Sequence, residues 1–286
     1  VVGETVYDIA ELTADARYAS VLDVLEDWDN SHPAIEASID SPRCAGHPIS
    51  TVRLHAPVSR PGSIYCVGAN YRDHAEEMRV AASRAVQPDP RSMGLKPFFF
   101  IKSSHSVADP GVSVSSTEYT QKLDWEVELV VVIGRKARNL HVDDALGCVA
   151  GYTVGNDLSA RDLSTRQQVP TESLFRADWL RHKSFDNSAP MGPWMTPAAY
   201  IADPSNLQMQ LSVNGVIKQD SNTSAMIYSA AEQIAHLSSG ITLYPGDLIM
   251  TGTPAGVGAG RNEFLHAGDS VTMTIAEIGQ LTFSVA

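Results

Sequence analysis

Acidic side chains stand at every second position of an otherwise apolar run, Leu123-Asp124-Trp125-Glu126-Val127-Glu128-Leu129-Val130-Val131-Val132-Ile133-Gly134. In a β-strand alternate residues share a face, so Asp124, Glu126 and Glu128 would point one way and Trp125, Val127 and Leu129 the other. Carboxylates buried side by side repel one another and lose hydration, and a cation is what neutralises them. A metal site is the first expectation. The alternative is a half-buried strand entering from solvent, its acids on the wet face and its apolar run starting at Leu129.

Three other stretches carry residue types able to do chemistry. Gly68-Ala69-Asn70-Tyr71-Arg72-Asp73-His74-Ala75-Glu76-Glu77 reads as a glycine turn opening a helix, which sets His74 and Glu77 on one face. A carboxylate that orients an imidazole keeps it basic enough to draw a proton from water, although an isolated pair at this spacing also arises by chance on surface helices. Asp157-Leu158-Ser159-Ala160-Arg161-Asp162 reads as a helix start, either a plain cap with a helical ion pair or an anion-binding Arg161 one turn beyond a liganding Asp157. Lys183 precedes an aromatic in Arg181-His182-Lys183-Ser184-Phe185-Asp186, and on its own it reads as a solvated lysine.

The whole chain narrows the classes. Its 286 residues are 43% hydrophobic, enough for one large domain with a sizeable core plus a small one. Lys and Arg total 21 against 33 Asp and Glu, a net charge of -12 that argues against general affinity for nucleic acid or anionic membranes. No stretch approaches a membrane span and no basic-then-apolar leader opens the chain, so a cytoplasmic enzyme is the default expectation. Cys44, Cys66 and Cys148 are odd in number and lack any CxxC pair, which suggests neither a disulfide framework nor a zinc finger. Cys66 falls in a buried-strand pattern and reads as a small apolar residue.

The elements that must position these groups follow in order. Val1 to Asp8 reads as a turn and a strand with no earlier partner, as in a chain that begins within a hairpin. Asp15 to Trp28 has helical spacing, and Asn30-Ser31-His32-Pro33 is expected to end it. The Pro- and Gly-rich His55 to Gly62 marks a domain boundary. Val80 to Pro97 carries Pro88, Pro90, Gly94 and Pro97 with few apolar anchors, and predicts a long loop that is either a lid or an insertion. Phe98 to Lys102 resumes as a buried strand, Asp143 or Asp144 is expected to cap a short helix ending near Gly151, and Tyr152 to Asn156 returns as a strand. Asn214-Gly215 is a type I′ hairpin signal, Ser224 to Ser239 reads as a helix closed by Gly240, and two alternating runs around Gly279 close the chain. Gly252-Thr253-Pro254-Ala255-Gly256-Val257-Gly258 lacks the Gly-Lys-Ser/Thr of a phosphate loop, so a nucleotide site is not expected.

Taken together, these segments resemble the fumarylacetoacetate hydrolase family from about Val58 onward. The ordered set is Tyr65-Cys66-Val67-Gly68-Ala69-Asn70-Tyr71 with His74 and Glu77, Asp124 to Leu129, Gly155 to Asp162, Lys183-Ser184-Phe185-Asp186, Val213-Asn214-Gly215, and Pro245-Gly246-Asp247 to Thr251-Gly252-Thr253-Pro254. The resemblance implies a mainly β fold with some α, a mixed β-sandwich or roll behind a small N-terminal α+β domain (residues 1–57, then 58–286), usually as a homodimer. It implies that Glu126, Glu128 and Asp157 bind a metal, with Asp124 a neighbour. An all-carboxylate set favours Mg²⁺, with Mn²⁺ or Ca²⁺ as alternatives. It further implies that His74 and Glu77 activate water, that Lys183 steadies developing negative charge, and that Arg161 and Thr253 hold substrate.

The function expected from the resemblance is hydrolysis of a carbon–carbon bond in an acylpyruvate-like 2,4-dioxo acid, as in aromatic-compound catabolism. The alternatives are decarboxylation of oxaloacetate, isomerisation of a 2-hydroxymuconate-type diacid, or a non-catalytic metal- and ligand-binding relative. Two departures bear on substrate. Ser164 stands where the family often has Gln, leaving Gln167 or Gln168 to supply that contact, and Lys102-Ser103-Ser104-His105 replaces a common Lys-Pro pair.

Overall fold

Val127–Ile133 sets the frame: all seven of its residues are buried, the pattern of a strand covered on both faces. In the computed structural model, which describes residues 1–83, 85–86, 88–115 and 118–286, this strand lies at the centre of a seven-stranded sheet. The order is Phe98–Lys102, Ile64–Gly68, Leu248–Met250, Val127–Ile133, Val149–Asn156, Ala189–Pro197, Val107–Ala108. The sheet is mixed, with Leu248–Met250 parallel to Ile64–Gly68 and antiparallel to Val127–Ile133. Alternation sends Val127, Leu129, Val131 and Ile133 into one core with Tyr65 and Val67, and Val130 and Val132 into another with Ile64, Cys66, Leu248 and Met250.

A second sheet closes the first core. Its order is Val216–Asn222, Gln208–Val213, Ser270–Ile275, Gly279–Val285, Ser113–Val114, and it contributes Met209, Leu211, Met273 and Phe283. The two sheets form a β-sandwich, with Ile234 and Leu237 of the helix Ala230–Gly240 packed into the same core. The expected Asn214-Gly215 hairpin is present, with φ of 52° and 77° at its two turn residues, and so is the closing hairpin of Ser270–Ile275 with Gly279–Val285.

The N-terminal segment covers the other core through Tyr18, Val24, Leu25 and Trp28. Its one expected helix is two, Val21–Glu26 and Trp28–Ile39, and the expected terminator lies inside the second with Pro33. An interior proline costs about 3 kcal/mol. Burial of Trp28 and the Ser31 hydroxyl donating to Val24 O at 2.6 Å hold the helix through it.

Two other boundaries differ from expectation. The helix expected from Ser224 starts at Ala230, because Ser229 and Glu232 form a reciprocal capping box there. The helix at Val142–Ala145 is capped by neither Asp143 nor Asp144 and stops well short of Gly151, which is already in a strand. The stretch after Val80 is anchored by polar contacts: Arg91 donates to Ile227 O and pairs with Glu232, each at 2.7 Å, and Tyr228 donates to Leu95 O at 2.7 Å. Arg84 and Gln87 of that stretch lie outside the described residues. Among the described residues no helix is long and apolar enough to cross a membrane.

Candidate metal centre

The acidic run is not one strand. Leu123–Asp124 pairs with Ser159–Ala160, and pairing resumes only at Val127, so the chain breaks step at Trp125 and Glu126. Side chains fill the gap: Asn156 Oδ1 accepts the Glu126 N–H and Gln219 Oε1 the Val127 N–H, both at 3.0 Å, while the Trp125 indole donates to Gly256 O at 3.0 Å. All three acids are buried, at 0% (Asp124), 5% (Glu126) and 2% (Glu128), which excludes the solvent-facing alternative.

Asp157 follows the neighbouring strand Val149–Asn156 and donates its N–H to Glu126 O at 2.9 Å, with no helix starting there. The expected helix is a bridge at Ser159–Ala160 and a 3₁₀ turn at Arg161–Leu163. This register brings one oxygen each from Glu126, Glu128 and Asp157 within 4.8 Å of one another.

Cations brace two of the three acids. Lys183 Nζ lies 2.9 Å from Glu126 and 2.5 Å from Asp157, Lys102 Nζ lies 2.7 Å from Asp157, and the Arg161 guanidinium reaches Glu126 at 2.5 Å and Asp124 at 2.7 Å. Burial would raise the Asp157 pKa, but Lys102 and Lys183 outweigh it and hold the carboxyl below its ordinary value. Lys183 is raised: burial opposes its charge, and Asp157 and Glu126 prevail. Glu128 is different. Its described hydrogen bond comes from the Gly252 N–H at 2.7 Å, and burial, then Asp157 and Glu126, drive its pKa well above the ordinary value.

Four buried carboxylates (Asp124, Glu126, Glu128, Asp157) thus meet three buried or part-buried cations (Lys102, Arg161, Lys183), and the uncompensated charge falls on Glu128. Each carboxylate oxygen has two lone pairs, so a bonded lysine does not exhaust it. The donor set is hard, all oxygen and short of one positive partner, and so fits a divalent ion of the Mg²⁺ or Mn²⁺ kind. Asp124 is saturated by Arg161 and the N–H groups of Trp125, Gly258 and Ala259, which makes it a brace.

The same chamber, about 100 Å³, is lined by His74, Arg161, His182, Lys183 and Thr253 beside the triad. His74 and Glu77 sit on the helix Arg72–Ala81, with His74 Nδ1 3.5 Å from Glu77 Oε2 and without a hydrogen-bond partner among the described residues. Burial raises the Glu77 pKa, yet His74 and the Gly256 N–H outweigh it and hold it low. The Thr253 hydroxyl is engaged by the protein, donating to Val127 O at 2.9 Å and accepting from Gln219 at 2.8 Å. Ser164 caps its own turn by bonding Arg161 O, and Gln167 and Gln168 are exposed, none of them lining the chamber.

Two parts of the site were not assigned from sequence. Lys102 is fully buried on Asp157, and its signal was an ionisable residue ending the apolar run Phe98 to Ile101. The glycine-rich segment after Thr251 is a scaffold for acids: Gly252 donates to Glu128, Gly256 to Glu77 and Gly258 to Asp124.

A β-sandwich holding a buried carboxylate triad, braced by lysines and with His74 lining the same chamber, is the site of an enzyme that acts on small molecules. The chain belongs to the fumarylacetoacetate hydrolase family: residues 63–286 match the family model for the fumarylacetoacetate (FAA) hydrolase C-terminal domain. Among curated relatives, rat oxaloacetate tautomerase Fahd2a, mitochondrial, is 40% identical over 234 residues, covering 81% of this chain and 69% of that protein. Human oxaloacetate tautomerase FAHD2A, mitochondrial, is 41% identical with the same coverage. Maleylpyruvate hydrolase from Sphingobium sp. SYK-6, solved with manganese(II) and pyruvate, superposes with a TM-score of 0.76 at 28% identity, covering 100% of this chain and 94% of that one. A 2-hydroxyhepta-2,4-diene-1,7-dioate isomerase from Mycobacterium marinum gives 0.68 at 33% identity, covering 86% and 82%.

Proposed function

We propose that the chain interconverts the enol and keto forms of a 2-oxo acid, with oxaloacetate as the substrate of first choice. The observation that carries this reading is the chamber: about 100 Å³, walled by the triad, Lys183, Arg161 and His74, it suits a compact four-carbon acid. The relatives named oxaloacetate tautomerase support the choice. Glu126, Glu128 and Asp157 would hold the divalent ion, which when bound supplies Lewis-acid polarisation of the substrate's oxygens. Lys183 offsets negative charge developing on the 2-oxo oxygen. The His74–Glu77 pair moves the proton, which leaves the enol hydroxyl as carbon 3 gains one, so the atoms balance without water.

Hydrolysis of an acylpyruvate is the second reading. His74 beside Glu77 is the arrangement that draws a proton from water, and the maleylpyruvate hydrolase likeness supports it. Following ultraviolet absorbance of enol-oxaloacetate and of maleylpyruvate with Mg²⁺, with product analysis, separates the readings: enol loss from oxaloacetate without carbon–carbon cleavage supports the first, and hydrolytic cleavage of maleylpyruvate supports the second.

We also propose a homodimer and a division of the chain at residues 57 and 58. Phe98 and Ile101 on the edge strand, with Leu174, Phe175, Trp179 and Leu180 before Lys183, are exposed apolar side chains of the kind a second copy covers. Sedimentation of the wild type and of Leu180→Asp tests the first; folding of residues 58–286 alone tests the second.

A further inference from the structure

One side chain of the chamber has no task in this account. His182, next to Lys183 on the short helix Trp179–Lys183, is 6% exposed and lines the chamber with the triad. Its Nε2 is buried and has no hydrogen-bond partner among the described residues. Buried polar atoms are rarely left so, because each lost hydration without replacement. The Trp179 ring tilts against it at 5.8 Å between centroids, and Phe100 stacks on Trp179 at 5.0 Å. Burial, then the positive charges of Lys183 and Arg161, hold the imidazole pKa down to about 2. The ring is therefore neutral at working pH, and it offers one N–H donor and one acceptor but no charge.

We propose that His182 is a specificity-determining residue: its Nε2–H donates to the oxygen on the fourth carbon of a 2-oxo acid whose first two carbons lie at the triad. The inference rests on the proposed function and deepens it by naming the substrate class. Oxaloacetate and acylpyruvates carry an oxygen on that carbon; pyruvate ends one carbon earlier. A neutral N–H donates to a carboxylate or a ketone oxygen alike, and a ligand without one leaves the imidazole unpaired.

The test uses Mg²⁺-loaded protein and two probes, oxaloacetate and pyruvate, with binding measured by calorimetry and turnover by absorbance. Wild type should bind oxaloacetate more tightly. His182→Ala or His182→Leu, whichever folds, should weaken oxaloacetate about 10- to 100-fold and pyruvate less than about threefold, with KM rising and kcat nearly unchanged. His182→Asn, which restores a donor, should recover part of the loss. Equal weakening of both probes, unchanged oxaloacetate binding, or no preference in the wild type would overturn the inference. If wild type prefers oxaloacetate and the variants lose that preference, but no turnover is seen, the reaction reading fails and the role of His182 stands.

Discussion

The Gly252 N–H donates to Glu128 Oε2 at 2.7 Å, and among the described residues no cation lies at ion-pair distance from that carboxylate. Glu126 and Asp157 each have a lysine, so Glu128 is where a metal-free site is least satisfied.

Glu128→Gln preserves shape and removes the uncompensated charge. Mg²⁺ affinity should fall about 100-fold, because hard-ion affinity follows the number of anionic ligands. The metal-free variant should melt no lower than metal-free wild type, while Mg²⁺ should no longer raise its Tm. Calorimetry and thermal melts in chelator and in Mg²⁺ check both.

The two lysines on Asp157 should divide between stability and catalysis. Lys102→Met removes a fully buried cation behind the triad and is expected to cost about 3 kcal/mol in urea unfolding. Lys183→Met should lower kcat by at least about 100-fold, the scale of one lost charge-stabilising donor. Equal effects of the two on kcat would contradict the division.

His74→Ala should lower kcat for oxaloacetate about 10²- to 10⁴-fold with KM within about threefold, since general acid–base help is lost and ground-state binding is not. A raised KM with unchanged kcat would make His74 a binding group only.

Gly252→Ala strikes the scaffold. Gly252 has φ +98°, and an added Cβ would lie 2.7 Å from Asn70 Cβ, so the strand exit must shift and carry the Glu128 donor with it. Reduced stability together with weaker Mg²⁺ binding is expected, measured by urea unfolding and calorimetry. Loss of stability alone would uncouple the loop from the site.

The acidic run was legible because carboxylates at alternate positions in a Val- and Ile-rich strand have few stable explanations, and all three acids are buried. The His74 and Glu77 spacing alone is ambiguous, and only the ordered set of motifs makes the pair an expected part of the site. The break at Trp125 and Glu126 was not legible, since it depends on Asn156 and Gln219 supplying acceptors from distant strands. The pairing of Lys102 with Asp157 spans 55 residues, and a buried lysine announces itself only once its partner is known. Pro33 misled for the opposite reason: a strong local signal was overridden by the burial of Trp28.

In the proposed reaction, enol chemistry on a 2-oxo acid depends on a divalent ion held by Glu126, Glu128 and Asp157. The most direct measurement is the decay of enol-oxaloacetate absorbance catalysed by chelator-treated protein as Mg²⁺ is added back, with wild type and Glu128→Gln side by side. No catalysis above background is expected in chelator, with saturable recovery in wild type and recovery in the variant only at about 100-fold higher Mg²⁺. Full activity in excess chelator, or identical Mg²⁺ titrations for the two proteins, would contradict it.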